Sequence, residues 1–534
     1  MKYLALLTLC FLIGCAPDTR YDETKIFRYN DYAGINSLDP AFARTQSNIW
    51  ATNQIFNGLV QMDRQLNVTP CLAKSWRISE DGKTYRFTLR SDVYFHKNEC
   101  FKDSTRKFVA QDVIYSFSRL RSKKLAAPGS WVFSKLDTLY ALNDTVLELK
   151  LKEAFTPFLG ILSMKYCSVL PQEAVTYYGD DFRANPVGTG PFYKKLWVEN
   201  EKLVLRRNPN YFEQDSAGKP LPYLESVAIS FIPDKQSAFM EFVKGKLDFI
   251  SGIDASYKDE ILTYEGELQT QYEEDFMLYK QPYLNTEYLG ILVDEETETM
   301  KGNPLLDKRI RQAINYGFDR VKMMRYLRNN IGSPATNGVI PSGLPAFDTS
   351  VVNGYTYQPE KVKKLLAEAG YPNGNGLPEI TVQTSAEYLD LCEYIQSEVS
   401  QLGIPLKVEV TPPSTLRQSM ATAKAAFFRA SWIADYPDAE NYLSLFYSPN
   451  KAPNGPNYTH FKNADFDAWY QKAGSTTNDS MRLNLYAKMD SLVMEEAPIV
   501  PLYYDQVLRF YPKNVKGLQG NALNLLDLKQ VWKE

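Results

Sequence analysis

Glu379-Ile380-Thr381-Val382-Gln383, Leu389-Asp390-Leu391-Cys392-Glu393-Tyr394-Ile395-Gln396-Ser397-Glu398-Val399-Ser400-Gln401-Leu402, Gly403-Ile404-Pro405 and Leu406-Lys407-Val408-Glu409-Val410 follow one another between residues 379 and 410. They read as strand, helix, glycine–proline stop and strand, and a strand returning through a helix of this length favours a largely parallel sheet. The alternation continues outward. Helices are predicted from 307 through 313 and beyond, and over 359–369, the latter stopped by Gly370-Tyr371-Pro372. Upstream, a strand at 227–232, a helix at 235–244 and Gly245-Lys246-Leu247-Asp248 form a second strand–helix–strand unit.

Nearer the start, residues 72–90 alternate around Asp81-Gly82 as a hairpin, and 110–120 is helical with Val113, Phe117 and Leu120 on one stripe. An earlier helix would use Ile49, Asn53, Phe56 and Leu59 or Val60, stopping at Asn57-Gly58 or just beyond. The chain is α/β, with an α+β piece inserted between two α/β lobes. Its 534 residues, 44% hydrophobic and 13% aromatic, exceed what one core supports and imply two or three domains.

Met1-Lys2-Tyr3 and the apolar run 4–13 read as a signal peptide over 1–14, and Leu12-Ile13-Gly14-Cys15 resembles a lipobox, making Cys15 the expected lipidated residue. Residues 15–21 would be a tether to a membrane, and no later segment reaches the ~20 consecutive apolar residues of a spanning helix. The mature chain is therefore expected outside the cytoplasm. Loss of 1–14 removes only Lys2, leaving 59 basic against 63 acidic side chains, a balance that argues against a nucleic-acid partner. Cys71, Cys100, Cys167 and Cys392 have no metal-ligand spacing; a bridged pair, such as Cys71 with Cys100, and single buried thiols both remain open.

One stretch holds an unexplained charge. Phe428-Arg429-Ala430-Ser431-Trp432-Ile433-Ala434 is an apolar run closed by Asp435 before Tyr436-Pro437-Asp438. A carboxylate there needs solvent or a cation; a turn residue and an anchor for a bound amine are both consistent with the local pattern.

The order of motifs resembles the peptide-binding lipoproteins of ABC importers, extracellular solute-binding family five. The matches begin with Ser37-Leu38-Asp39-Pro40, Leu72-Ala73-Lys74-Ser75-Trp76, Ser79-Glu80-Asp81-Gly82 and Phe108-Val109-Ala110-Gln111-Asp112-Val113. Gly188-Thr189-Gly190-Pro191, Asn208-Pro209-Asn210-Tyr211-Phe212 and Gly245-Lys246-Leu247-Asp248 continue them. Asp307-Lys308-Arg309-Ile310-Arg311-Gln312-Ala313-Ile314-Asn315, Lys364-Leu365-Leu366-Ala367-Glu368-Ala369-Gly370-Tyr371 and Ala497-Pro498-Ile499-Val500-Pro501-Leu502-Tyr503 complete the series. It departs from the family's pattern at 94–107, where a charged insertion replaces a short turn.

The resemblance implies a two-lobed periplasmic-binding-protein-like clamshell of type II with an extra α+β subdomain. Lobe I would comprise 22–60, 185–275 and 499–534, the extra subdomain 61–184, and lobe II 276–498. Ligand would lie between the lobes, with Asp435 on a peptide's α-ammonium, Ser431, Ile433 and Ala434 along its backbone, and Arg429 near its carboxylate. Trp432 would wall a side-chain pocket, and Arg44 and Thr45 would sit on the opposite rim. The implied partners are a peptide, ABC permease subunits and a membrane reached through the lipid, with the chain a monomer and no cofactor or metal.

Enzyme signatures are missing. The chain has two histidines, His96 and His460, both read as surface or loop residues. It lacks a Gly-x-Ser-x-Gly elbow, a His-Glu-x-x-His motif and a phosphate loop, and Gly374-Asn375-Gly376 fails the dinucleotide pattern because Glu379 replaces its third glycine. Two other readings stay open: the same fold binding an oligosaccharide, nickel chelate or opine, and a peptide-sensing lipoprotein with no transport role.

Overall fold

The predicted strand–helix–strand forms. Ile380–Thr384 and Leu406–Val410 run parallel with Val382 opposite Val408, and the helix Leu389–Ser400 crosses between them. Leu391, Cys392, Ile395 and Val399 recur at helical spacing and are buried against that sheet. The structure, a computed structural model, describes residues 22–253 and 257–534. The expected signal peptide, Cys15 and the tether over 15–21 lie outside the described residues.

The sheet as a whole is mixed, not largely parallel. Its order is Ile250–Ser251, Ile499–Pro512, Phe276–Ile291, Phe427–Ile433, Ile380–Thr384 and Leu406–Val410, and the pairings among the first four are antiparallel. The cause is two long strands of 16 and 14 residues, Phe276–Ile291 and Ile499–Pro512, which traverse the molecule in opposite directions.

These strands begin at the expected boundaries 276 and 499, and each packs in two cores. Leu289, Ile291, Val500 and Leu502 pack with Ile380 and Val382, whereas Phe276, Leu508 and Phe510 pack with Phe239 and Phe242. Each strand therefore serves both sides, and the register between them breaks between Pro282 and Thr286.

On the other side, Ile26–Asn30, Ser226–Ser230, Lys202–Arg207 and Phe192–Val198 form a four-stranded sheet in that order. The hairpin Ala73–Ile78 and Thr84–Leu89, turning at Gly82 (φ +68°), joins Val146–Leu151 and Leu136–Asn143 in another. The helix Ala110–Leu120 buries Val113, Phe117 and Leu120 as its stripe predicts. Phe27, Val227, Phe87, Phe117 and Phe133 share one core, so the inserted α+β piece is fused to the first lobe.

Gly188-Thr189-Gly190-Pro191 holds the helix Gln46–Ile55 in place. Gly190 N donates to Ile55 O (2.9 Å), and a Cβ on Gly188 would lie 2.2 Å from that same oxygen. The helix accordingly ends at Ile55, before Leu59 and Val60, which the sequence pattern had offered to it.

His96 is buried, not superficial: Gly188 N donates to its Nδ1 (3.2 Å), which leaves Nε2–H to donate to Gly190 O (3.0 Å). Burial pushes its pKa down to about 4, so the ring is a neutral brace for the turn. His460 is buried as well, with Nδ1 3.0 Å from Asp294 Oδ2. Cys71, Cys100, Cys167 and Cys392 are free thiols, which resolves the disulfide question against a bridge. Among the described residues, no helix is long and apolar enough to cross a membrane.

Gly188→Ala is expected to lower stability by about 1–3 kcal/mol, since backbone cannot yield to the added methyl. An unfolding midpoint in urea equal to that of the wild type would contradict this packing.

Candidate functional site

The strand Phe427–Ile433 pairs along its length with Phe276–Ile291, placing Ile433 opposite Asn285 and Ser431 opposite Glu287. Its other edge meets Ile380–Thr384 only where Phe428 faces Gln383. Beyond Phe428 that edge has no strand partner among the described residues. The chain then turns. Ala434 N donates to Leu284 O (2.8 Å), and Asn441 Oδ1 accepts from both Trp432 Nε1 (2.9 Å) and Asp435 N (3.2 Å), which locks the exit from the strand.

Three carboxylates follow in close succession, and two are held by side-chain donors. Asp438 accepts from Arg482 Nη1 (2.9 Å) and the Tyr486 hydroxyl (2.7 Å), and Glu440 accepts from the hydroxyls of Tyr436 and Tyr470. Asp435 has no such partner. No cation among the described residues pairs with it; desolvation raises its pKa, and the Asn441 amide only partly offsets this. The side chain itself is open to a cavity while protein crowds its flanks.

That cavity, about 300 Å³, lies between the lobes and is walled by Arg44, Tyr166 and Leu525 on one side and by Tyr283, Ile433 and Asp435 on the other. Burial pushes the Tyr166 hydroxyl up to about 12, the negative charge of Asp435 adds to the rise, and Arg44 opposes it. Asp435 and Arg44 are thus both within electrostatic reach of the Tyr166 hydroxyl.

The structure gathers Asp435, Ala434, Ile433 and Arg44 around this space and leaves four of the expected residues outside it. Thr45 accepts from Asn48 N (3.4 Å) as the cap of Gln46–Ile55. Ser431 stays in the strand ladder. Trp432 donates to Asn441 and packs against the core cluster that includes Phe428 and Tyr442.

Arg429 lies away from the cavity. Its guanidinium pairs with Glu287 and lies over the Tyr388 ring, 3.2 Å from the centroid, with side-chain exposures of 14% for Arg429 and 3% for Glu287. Burial holds Glu287 above its usual range despite that arginine. A cation so occupied is not a free carboxylate receptor. The residues missed by sequence reasoning, Tyr166, Tyr283, Leu525 and Lys165, carry no local signal because the fold draws them from distant segments.

The sequence model of the bacterial extracellular solute-binding proteins, family 5, matches residues 67–454, and the chain belongs to that family. It is 25% identical over 501 residues to the dipeptide-binding protein of Escherichia coli K12, covering 89% of this chain and 88% of that one. To heme-binding protein A of Haemophilus influenzae it is 25% identical over 492 residues, covering 88% and 84%. A solved structure of the ABC transporter-associated periplasmic binding protein DppA from Helicobacter pylori, in complex with the peptide STSA, superposes with a TM-score of 0.76 at 25% identity, covering 95% and 98%. The chain thus has the two-lobed fold of these solute-binding proteins.

Glu287→Gln would leave Arg429 enclosed without its counter-charge, at an expected cost of about 3 kcal/mol. Equal denaturation midpoints for wild type and variant would show that the pair carries no such weight.

Proposed function

We propose that this chain captures short peptides between its lobes and hands them to an ABC importer, tethered to a membrane through a lipid on Cys15. It acts by binding, as a monomer, without catalysing a reaction. The observation that carries the reading is Asp435: a crowded, unpaired carboxylate facing an interlobe cavity, in a neighbourhood where Asp438 and Glu440 are both satisfied. A peptide α-ammonium supplies the missing cation, and in a space closed to water that ion pair is far stronger than on a surface.

Two features support the same ligand class. The unpaired edge beyond Phe428 offers backbone donors and acceptors to an extended chain, the mode by which peptides add a strand to a sheet. The cavity's 300 Å³ sits at the low end of the ~300–1,000 Å³ range for small-ligand sites, which suits short peptides. Relatives at equal identity are named for dipeptide and for heme, so family membership leaves the ligand open and the charge arrangement favours a zwitterion.

Calorimetry with di- and tripeptides tests this. Wild type is expected to bind them, and Asp435→Asn to lose at least about 30-fold in affinity, the scale of truncating one half of an enclosed ion pair, while keeping its melting temperature. The pH dependence has a definite sign. Asp435 starts from a raised pKa and must be ionised to hold an ammonium, so affinity falls as pH drops through that value. It falls again above about 8, where an α-amine loses its proton. Asp435→Asn removes the acidic limb. Binding by unliganded wild type of sugars or metal chelates only, or equal peptide affinity in Asp435→Asn, overturns the proposal.

A further inference from the structure

We infer that Lys165, on the wall contributed by the inserted α+β piece, supplies the cation that receives the carboxylate of the bound ligand. The inference deepens the peptide reading above and rests on it.

Lys165 lines the same cavity as Asp435, from the short 3-10 turn Lys165–Cys167. The turn is fixed from both ends: Cys167 N donates to Met164 O (2.9 Å), the Cys167 side chain is buried, and Val169 N donates to Asn57 O (2.9 Å). The ammonium nevertheless has no hydrogen-bond acceptor and no ion-pair partner among the described residues. Its surroundings are the buried thiols of Cys71 and Cys167 together with two charges, Asp527 and Lys529. Those charges are already engaged with each other at 3.6 Å, and Lys529 is also held by Glu213 (2.7 Å) and Gln61 (3.0 Å). Desolvation accordingly lowers the lysine's pKa. Half-buried on the wall of the cavity, the ammonium keeps three donors that no group among the described residues takes, and a bound carboxylate could accept from them.

The other cations in reach are worse placed. Arg429 is neutralised by Glu287. Arg44 acts on Tyr166 together with Asp435, so it sits at the ammonium end of the site. Lys165 and Asp435 line one cavity with opposite charges, together with Asp527 and the apolar side chains of Met62, Ile433 and Leu525.

The test compares Ala-Leu with its C-terminal amide by calorimetry, on wild type, Lys165→Met, Lys165→Arg and Asp435→Asn. Wild type should prefer the free acid by at least about 30-fold. Lys165→Met should reduce that ratio to near unity, Lys165→Arg should keep most of it, and Asp435→Asn should weaken both ligands without changing it. A ratio that survives in Lys165→Met overturns the inference and leaves the peptide reading standing. Should Lys165→Met fold poorly by thermal melting, Lys165→Gln is read in its place by the same criterion. If wild type binds neither ligand, the peptide reading fails and this inference falls with it.

Discussion

The antiparallel pairing of Phe276–Ile291 with Ile499–Pro512 is the constraint from which the rest follows. Each strand buries one end in the core around Ile380 and Val382 and the other in the core around Phe239 and Phe242, so neither lobe is complete without both strands. The ladder breaks between Pro282 and Thr286, and Tyr283, inside that break, lines the interlobe cavity. Rotation of one lobe against the other costs fewest hydrogen bonds at such a break, which places the site beside the natural bending point. Phe427–Ile433 is laid against the same strand, so Asp435 inherits its position from this ladder as well.

Around this frame many buried charges find a partner within the protein. Glu287 has Arg429, Asp438 has Arg482, Glu440 has two tyrosine hydroxyls, and Arg119 is held by Asp39 through two hydrogen bonds (3.0 and 2.6 Å). Burying an ionised group without a partner costs several kcal/mol, and a fold that pairs this many groups does not leave others unpaired at no cost. Asp435 and Lys165 both lack partners and line one cavity. Both face that cavity with unused charge, which a ligand of matching charge can meet.

Local patterns made much of the fold legible. The helix over 110–120 and the strand over 406–410 fall where periodicity put them, and Asp81-Gly82 turns its hairpin, because these features depend on neighbours within a few residues. The sheet's mixed character was not legible, since it arises from strands more than 200 positions apart in the chain. Glycines gave a middle case: Gly188-Thr189-Gly190-Pro191 announced a turn, yet only the structure shows that its glycines are there to admit the Ile55 carbonyl and that buried His96 braces them. For the site, Asp435 stood out because a strand rarely ends in a bare carboxylate. Arg429 misled for the complementary reason: its counter-ion Glu287 is 142 residues away and no local feature predicts it.

Two poles of opposite charge make the kind of selectivity physically specific. An extended chain advances about 3.3–3.6 Å per residue, so a fixed separation between an ammonium anchor and a carboxylate anchor measures the number of residues and is blind to their side chains. The walls between the poles reinforce this, because Met62 and Leu525 offer apolar contact without the directional demands of hydrogen bonds, and unbranched methionine adapts its shape to what it meets. On the proposed reading, backbone groups at the free edge of Phe427–Ile433 would add recognition that every peptide satisfies equally. If this chain binds peptides as proposed, tolerance of sequence and discrimination of length would come from one arrangement. A ligand one residue too long must leave a charge short of its pole or buckle its backbone away from the strand edge, and either loss is charged against the closed state.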